Sequence, residues 1–228
     1  MFTVANLFDL SQTTHEALFE NGKPAWETLA AIENYLAETL QPANHANVSP
    51  QAVIGENVFL GEGTVVEPGA FIEGPAVIGA GCQIRHNAYV RANVIIGDGC
   101  LIGNACELKN SVLFNGCEVP HFNYVGDSIL GHRAHLGAGV VLSNFKAIPG
   151  NVTVRHGDEK IDTGLLKFGA LIGDRAELGC NSVLNPGSII GRDCVVYPNT
   201  NWRGVLAERH IVKNRAEQEI VERSLKDQ

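Results

Sequence analysis

Residues 54–114 read IGENVFLGEGTVVEPGAFIEGPAVIGAGCQIRHNAYVRANVIIGDGCLIGNACELKNSVLF. Stepping by six from Ile54 gives Leu60, Val66, Ile72, Ile78, Ile84, Val90, Ile96, Ile102, Leu108 and Phe114, an apolar side chain every time. Glycine often follows, at Gly55, Gly61, Gly79, Gly97 and Gly103. Four residues after the apolar position comes a small one, as at Thr64, Ala70, Ala76, Cys82, Ala88, Cys100 and Cys106. A repeat this short cannot bury its own apolar face and must stack on copies of itself. One strand per hexad and three hexads per coil make a triangular prism of parallel strands. The recurring aliphatic points inward, and the small residue fits the crowded turn. Cys82, Cys100, Cys106 and Cys194 all occupy that slot, where cysteine behaves as a small hydrophobe.

Beyond Phe114 the phase slips. Position 120 is proline, and the pattern resumes at Tyr124, Leu130, Leu136 and Leu142, so the step from 114 to 124 is ten residues instead of twelve. Residues 146–171 lack the hexad and are rich in turn formers and charges, as in PGNVTVRHGDEKIDTG. They read as an excursion from one corner of the prism, and loops of this length are commonly functional. The hexad returns at Ile172, Leu178, Leu184, Ile190 and Val196 and fades after Trp202.

The flanks differ. Trp26, Leu29, Ile32, Leu36 and Leu40 form one apolar helical face. Pro24 suits the first position of that helix and Gln41-Pro42 its stop. Lys213–Lys226 reads as a polar C-terminal helix. The organisation expected is a helical extension over 1–48, a β-helix over 49–205 and a helical tail over 206–228.

The 228 residues carry a net charge of −8 and no basic run, which argues against a nucleic-acid partner. No cysteine pair has CxxC spacing, so a zinc ribbon is not expected. Neither a signal peptide nor an apolar run of roughly 20 residues is visible, and a cytoplasmic location is the expectation.

The slip is also where chemistry gathers. Arg91, then GNACELK ending at Lys109, then PHFNYVGD with His121 and Tyr124, then LGAG at 136–139, then Ser143-Asn144 follow in order. This run resembles the acetyltransferase half of the bifunctional N-acetylglucosamine-1-phosphate uridylyltransferase/glucosamine-1-phosphate acetyltransferase. Residues 158–187, with Thr163-Gly164, Lys167 and Gly169-Ala170, resemble archaeal-type sugar-1-phosphate nucleotidylyltransferases with acetyltransferase tails. The resemblance spans roughly residues 50–205. It implies an all-β, left-handed parallel β-helix built of hexapeptide repeats, with an N-terminal helical segment and a C-terminal helix. It further implies a cytoplasmic homotrimer with active sites between subunits, acetyl-coenzyme A as co-substrate and no metal. A uridylyltransferase half has no counterpart here, so a stand-alone acetyltransferase is expected.

Residue by residue, the resemblance implies that His121 is the general base and that Asn144 orients the sugar. It implies that Arg91, Lys109 and Tyr124 hold a sugar phosphate, joined by Lys167 and by His135, which replaces an asparagine. Ala138, Cys180 and Pro198 would line the coenzyme channel, the latter two replacing a serine and a small residue. Arg215 would meet the 3′-phosphate of coenzyme A. Phe145 stands where a tyrosine is expected.

The residue types fit these tasks. Histidine titrates near neutrality, as a general base must. A phosphate wants a forked donor and a point charge. Arg91 and Lys109 are 18 residues apart, one coil of three hexads, so they stack at one corner independently of any relative. Three other readings remain open at this point. One is an acyltransferase acting on another sugar or sugar nucleotide. Another is a γ-carbonic-anhydrase-like metal enzyme, for which His132 and His135 are poorly spaced. The third is a non-catalytic β-helix subunit, which would not need the Arg91–Lys109–His121–Tyr124–Asn144 set.

Overall fold

The computed structural model describes residues 2–215, 220 and 221. Among them three parallel sheets of nine, nine and eight strands wrap one axis. We call them the first face (from Ala43–Asn44 to Val205–Leu206), the second face (from Asn47–Val48 to Ile211–Val212) and the third face (from Val53–Ile54 to Asn201–Trp202). The chain visits them in that order on each of about nine coils. This is the parallel β-helix that the hexads predict. Ile72, Ile78, Ile84, Val90 and Ile96 fill its interior without exposure. The small-slot cysteines are buried as expected, and each thiol donates to a backbone carbonyl, as Cys106 does to Val119 at 3.1 Å. No helix of the described residues is long and apolar enough to cross a membrane.

The slip is not one ten-residue step. The interior ladder runs Ile102, Leu108, Leu113, Val119, Val125, Leu130, Leu136, Leu142. Two corners, 108 to 113 and 125 to 130, are therefore one residue short. Pairing shows the same change, from Tyr89 opposite Glu107 to Glu107 opposite Tyr124. Both short corners join the third face to the first, and Asn110 and Asp127 turn the chain there at φ 44° and 46°. Left-handed backbone is least costly for Asn, Asp and Gly among turn formers. Phe114 and Tyr124 therefore do not point into the prism. Phe114 is buried outside it, 5.2 Å from Phe8 and 5.3 Å from Phe19 between ring centroids. Tyr124 is half-buried on the outer third face.

Why Phe114 stays buried is answered by a feature the hexads hid. On the first face the residue before the inward aliphatic is also apolar: Val77, Ile95, Val112, Ile129, Leu171 and Ile189. These form an outward ladder, and the N-terminal segment covers it with Leu7, Phe8, Trp26, Leu29, Ile32 and Leu36. Each such burial is worth about 1.5–3 kcal/mol over exposure. The expected helix forms as a 3-10 turn, Ala25–Glu27, leading into an α-helix, Thr28–Thr39. A polar anchor adds register: buried Asp174 accepts from the Asp9 backbone N–H at 2.9 Å, and its own N–H donates to the Leu7 carbonyl at 3.1 Å.

The boundaries shift at both ends of the prism. Its first strand, Ala43–Asn44, lies six residues before position 49, because the opening strands are short and poor in large aliphatics. Its last strands, Val205–Leu206 and Ile211–Val212, extend past 205. The excursion leaves after Val141–Leu142 and rejoins at Ala170–Ile172. It holds an antiparallel hairpin, Thr153–His156 with Glu159–Asp162, and docks Val152, Val154 and Phe168 onto the first-face ladder. The helix expected over Lys213–Lys226 falls mostly outside the described residues.

Candidate active site

The corner between the second and third faces carries one column of side chains. Asn104 Nδ2 donates to the His86 carbonyl at 3.1 Å, and Asn104 pairs in register with His121. The Gly139 N–H donates to the His121 carbonyl, that of Asn181 to Ala138 and that of Asn199 to Cys180, all at 2.8–2.9 Å. His121, Ala138, Cys180 and Pro198 therefore follow one another up a single edge. The expected base and the three expected channel residues share that line. Arg215 lies at its upper end, where Asn214 Nδ2 donates to the Asn199 carbonyl at 2.9 Å.

His121 is exposed, and its ring makes no hydrogen bond among the described residues. Its backbone is held instead. Phe122 turns the chain at φ 54°, and buried Asn123 accepts from the His121 N–H at 3.0 Å while donating to the Gly137 carbonyl at 2.7 Å. Asn123 is a positioning residue that sequence reasoning missed. The signal was an amide in a slot otherwise given to alanine, cysteine, valine, serine and threonine.

The opposite edge of the third face carries a charged cluster. Arg91 and Lys109 stack one coil apart, as their spacing requires, and Lys109 pairs in register with Gly126. Arg91 bonds Glu107 at 2.9 Å, and Lys109 meets Asp127 at 3.4 Å. Asp127 is 5% exposed and also accepts from Asn110 Nδ2 at 2.9 Å and from Asn144 Nδ2. Tyr124 and Asn144 lie over Gly126: a Cβ there would sit 2.6 Å from both the Tyr124 hydroxyl and Asn144 Nδ2. Partial burial holds the Tyr124 phenol above its ordinary range, with the Glu107 and Asp127 charges adding to the rise, so the hydroxyl stays a donor. Glu107, Asp127 and Gly126 were all within the quoted motifs, yet their roles follow only from this packing.

Arg91, Lys109, Tyr124 and Asn144 thus come together. Lys167 arrives beside them, because the next residues tie down: Phe168 N–H donates to the Asn144 carbonyl at 3.0 Å and Gly169 N–H to that of Asp127 at 2.8 Å. His135 does not join. It lies on the outer second face, bonded to Glu118 at 3.0 Å. Between the two edges runs the three-residue strand Tyr124–Gly126. At ~3.3 Å per residue it spans roughly 10 Å, the scale of a sugar phosphate. An exposed imidazole beside a narrow small-residue edge, facing cations and a phenol, is equipped to deprotonate an amine and hold an anion.

Comparison with known proteins bears on the prism that carries these residues. Residues 72–162 match the family described as the GMPPB C-terminal domain, and residues 51–91 and 169–199 match the hexapeptide repeat of succinyl-transferase. The bifunctional protein GlmU of Methanococcus vannielii is 36% identical over 181 residues, covering 77% of this chain and 43% of that protein. The bifunctional sugar-1-phosphate nucleotidylyltransferase/acetyltransferase of Sulfurisphaera tokodaii is 35% identical over 96 residues, covering 42% of this chain and 24% of that one. The chain therefore spans less than half the length of these curated relatives. Its resemblance to hexapeptide-repeat acyltransferases and to the acetyltransferase parts of sugar-1-phosphate enzymes is carried by the prism.

Proposed function

We propose that the chain is an acetyl-coenzyme A-dependent N-acetyltransferase acting on a hexosamine 1-phosphate, glucosamine 1-phosphate first among them. One observation carries the reading: the third face is bracketed by the His121–Ala138–Cys180–Pro198 edge and by the Arg91–Lys109–Tyr124–Asn144 cluster. On this reading Arg91 and Lys109 hold the phosphate, Tyr124 donates to it or to the sugar, and Asn144 orients the ring. Lys167 closes over the anion from the excursion. The acceptor amine enters neutral, its ammonium proton already lost to solvent, and His121 accepts a proton from the nitrogen as it attacks. The nitrogen adds to the thioester carbonyl, and the tetrahedral intermediate collapses by breaking the C–S bond. The departing thiolate recovers a proton from the His121 imidazolium, which completes the balance. The thioester arm lies along Ala138, Cys180 and Pro198, and Arg215 meets the coenzyme's phosphate end. Three copies assemble in the cytoplasm with their sites between subunits.

The test is a thiol-release assay with acetyl-coenzyme A against glucosamine 1-phosphate, galactosamine 1-phosphate and free glucosamine. Turnover of a hexosamine 1-phosphate in clear preference to the free sugar is the expected result. Equal use of free glucosamine would remove the phosphate cluster's role, and no thiol release with any of the three would remove the reading.

A further inference from the structure

The excursion hairpin carries cations that the acetyl-transfer reading does not use. Arg155 lies directly opposite Lys160 in the hairpin register. Like charges facing each other across an antiparallel pair are destabilising. Arg203 joins them: its neighbour Gly204 lies beneath Arg155, where an added Cβ would be 3.1 Å from the Arg155 carbonyl oxygen. Burial first, and the Arg155 charge second, disfavour the protonated state of Arg203. Lys146 reaches in from the start of the excursion and donates to the Asn151 carbonyl.

Among the described residues none of these four cations has a carboxylate within ion-pairing distance, whereas Arg91, Lys109, Arg175 and Arg192 each have one. The contrast is sharp in a chain of net charge −8. The four line a cleft of about 560 Å³, whose rim includes Phe145 and Ile148, 62% and 78% exposed. A cleft of that size suits a small organic ligand. Three cations converging without counter-charge suit more than one phosphate group. An exposed phenyl ring at the rim suits a planar base. The cleft borders the Asn144 cluster through Ser143, but none of its cations belongs to that cluster.

We propose that this cleft is a binding site for a nucleoside diphosphate, with the diphosphate between Arg155, Lys160 and Arg203 and the base against Phe145. Lys146 closes the phosphate end. The site is independent of the acetyl-transfer chemistry, and His121 takes no part in it.

Isothermal titration of the intact protein at low ionic strength tests this, with UDP, ADP, sodium pyrophosphate and uridine as probes. Both nucleotides should bind, pyrophosphate several-fold more weakly, and uridine not measurably; added salt should weaken all binding. The Arg155→Ala/Arg203→Ala variant should bind UDP at least tenfold more weakly. The solvent-facing Lys160→Gln, which leaves the hairpin backbone untouched, should give a several-fold loss. Phe145→Ala should bring UDP down to the pyrophosphate level and leave pyrophosphate unchanged. His121→Ala should bind UDP like the parent, so a failure of the acetyl-transfer reading leaves this result standing. No binding of either nucleotide at millimolar concentration would overturn the proposal, as would affinities unchanged in both cation variants. Pyrophosphate binding as tightly as UDP would overturn the nucleoside part.

Discussion

Asn144 donates its side-chain amide to the buried carboxylate of Asp127, one coil beneath it. The same carboxylate holds Lys109 and Asn110, so a single group fixes three side chains at a shortened corner. Asp127→Ala should cost about 2 kcal/mol, the scale of hydrogen bonds to a charged acceptor. Urea denaturation measures the loss. The acceptor KM should rise as well, because Lys109 and Asn144 lose their anchor.

His121 stands in the opposite situation. Its ring is exposed and makes no bond among the described residues, and its backbone is held by Asn123. His121→Ala should therefore leave the melting temperature near that of the parent and lower kcat for acetyl transfer by about 10²–10⁴-fold. Retained turnover in a folded variant would remove the base assignment.

Gly126 makes room for Tyr124 and Asn144, whose polar ends lie where its side chain would be. Gly126→Ala should push both aside, since each is the free end of a side chain and can yield. The loss of about 1 to 1.5 kcal/mol of binding predicts an acceptor KM raised roughly tenfold. The KM for acetyl-coenzyme A should not change. A rise in both would show a general distortion of the prism.

Phe114 packs outside the prism against Phe8 and Phe19. Phe114→Ala should cost about 3–5 kcal/mol and loosen the N-terminal segment selectively. Limited proteolysis should then cut within residues 2–40 before it cuts the strands. Simultaneous cleavage everywhere would argue that the segment and prism unfold as one.

Asp174 gives a pH signature. Burial is the main cause holding its carboxyl above the ordinary value of 3.8, despite the His132 and Asp9 N–H donors and the Arg192 and Arg175 charges. An acid whose folded pKa is raised contributes stability below its unfolded pKa and loses it as pH rises through the folded one. The melting temperature of the parent minus that of Asp174→Asn should therefore fall as pH climbs from below 3.8 through the raised folded pKa. A flat difference would show that Asp174 titrates normally in the fold.

How much of this was legible in the sequence depends on which side of the strand a residue faces. Interior positions announce themselves, because an enclosed prism accepts only aliphatics, and Ile54 through Leu108 could be counted off directly. The slip was harder to place. Phe114 and Tyr124 mimic interior positions, and only the cover provided by Phe8 and Phe19 explains why Leu113 points inward instead. Arg91 and Lys109 were placed by spacing alone, since no short corner lies between them. The counter-charges Glu107 and Asp127 were not foreseen, because pairing across a coil is set by side-chain reach. His135 lies on the second face, in register with Glu118 and bonded to it, so its strand position keeps it from the cluster on the third.

The covered first face has a geometric consequence. A prism offers three flat sides, and here one is occupied by residues 2–40 and the excursion hairpin. Another copy can approach only the second or third. In the assembly proposed above, each copy would set its second or third face against a neighbour and leave the covered side out of every contact. On the proposed trimer, the two edges of the third face, with His121 and Lys109, would border those contacts.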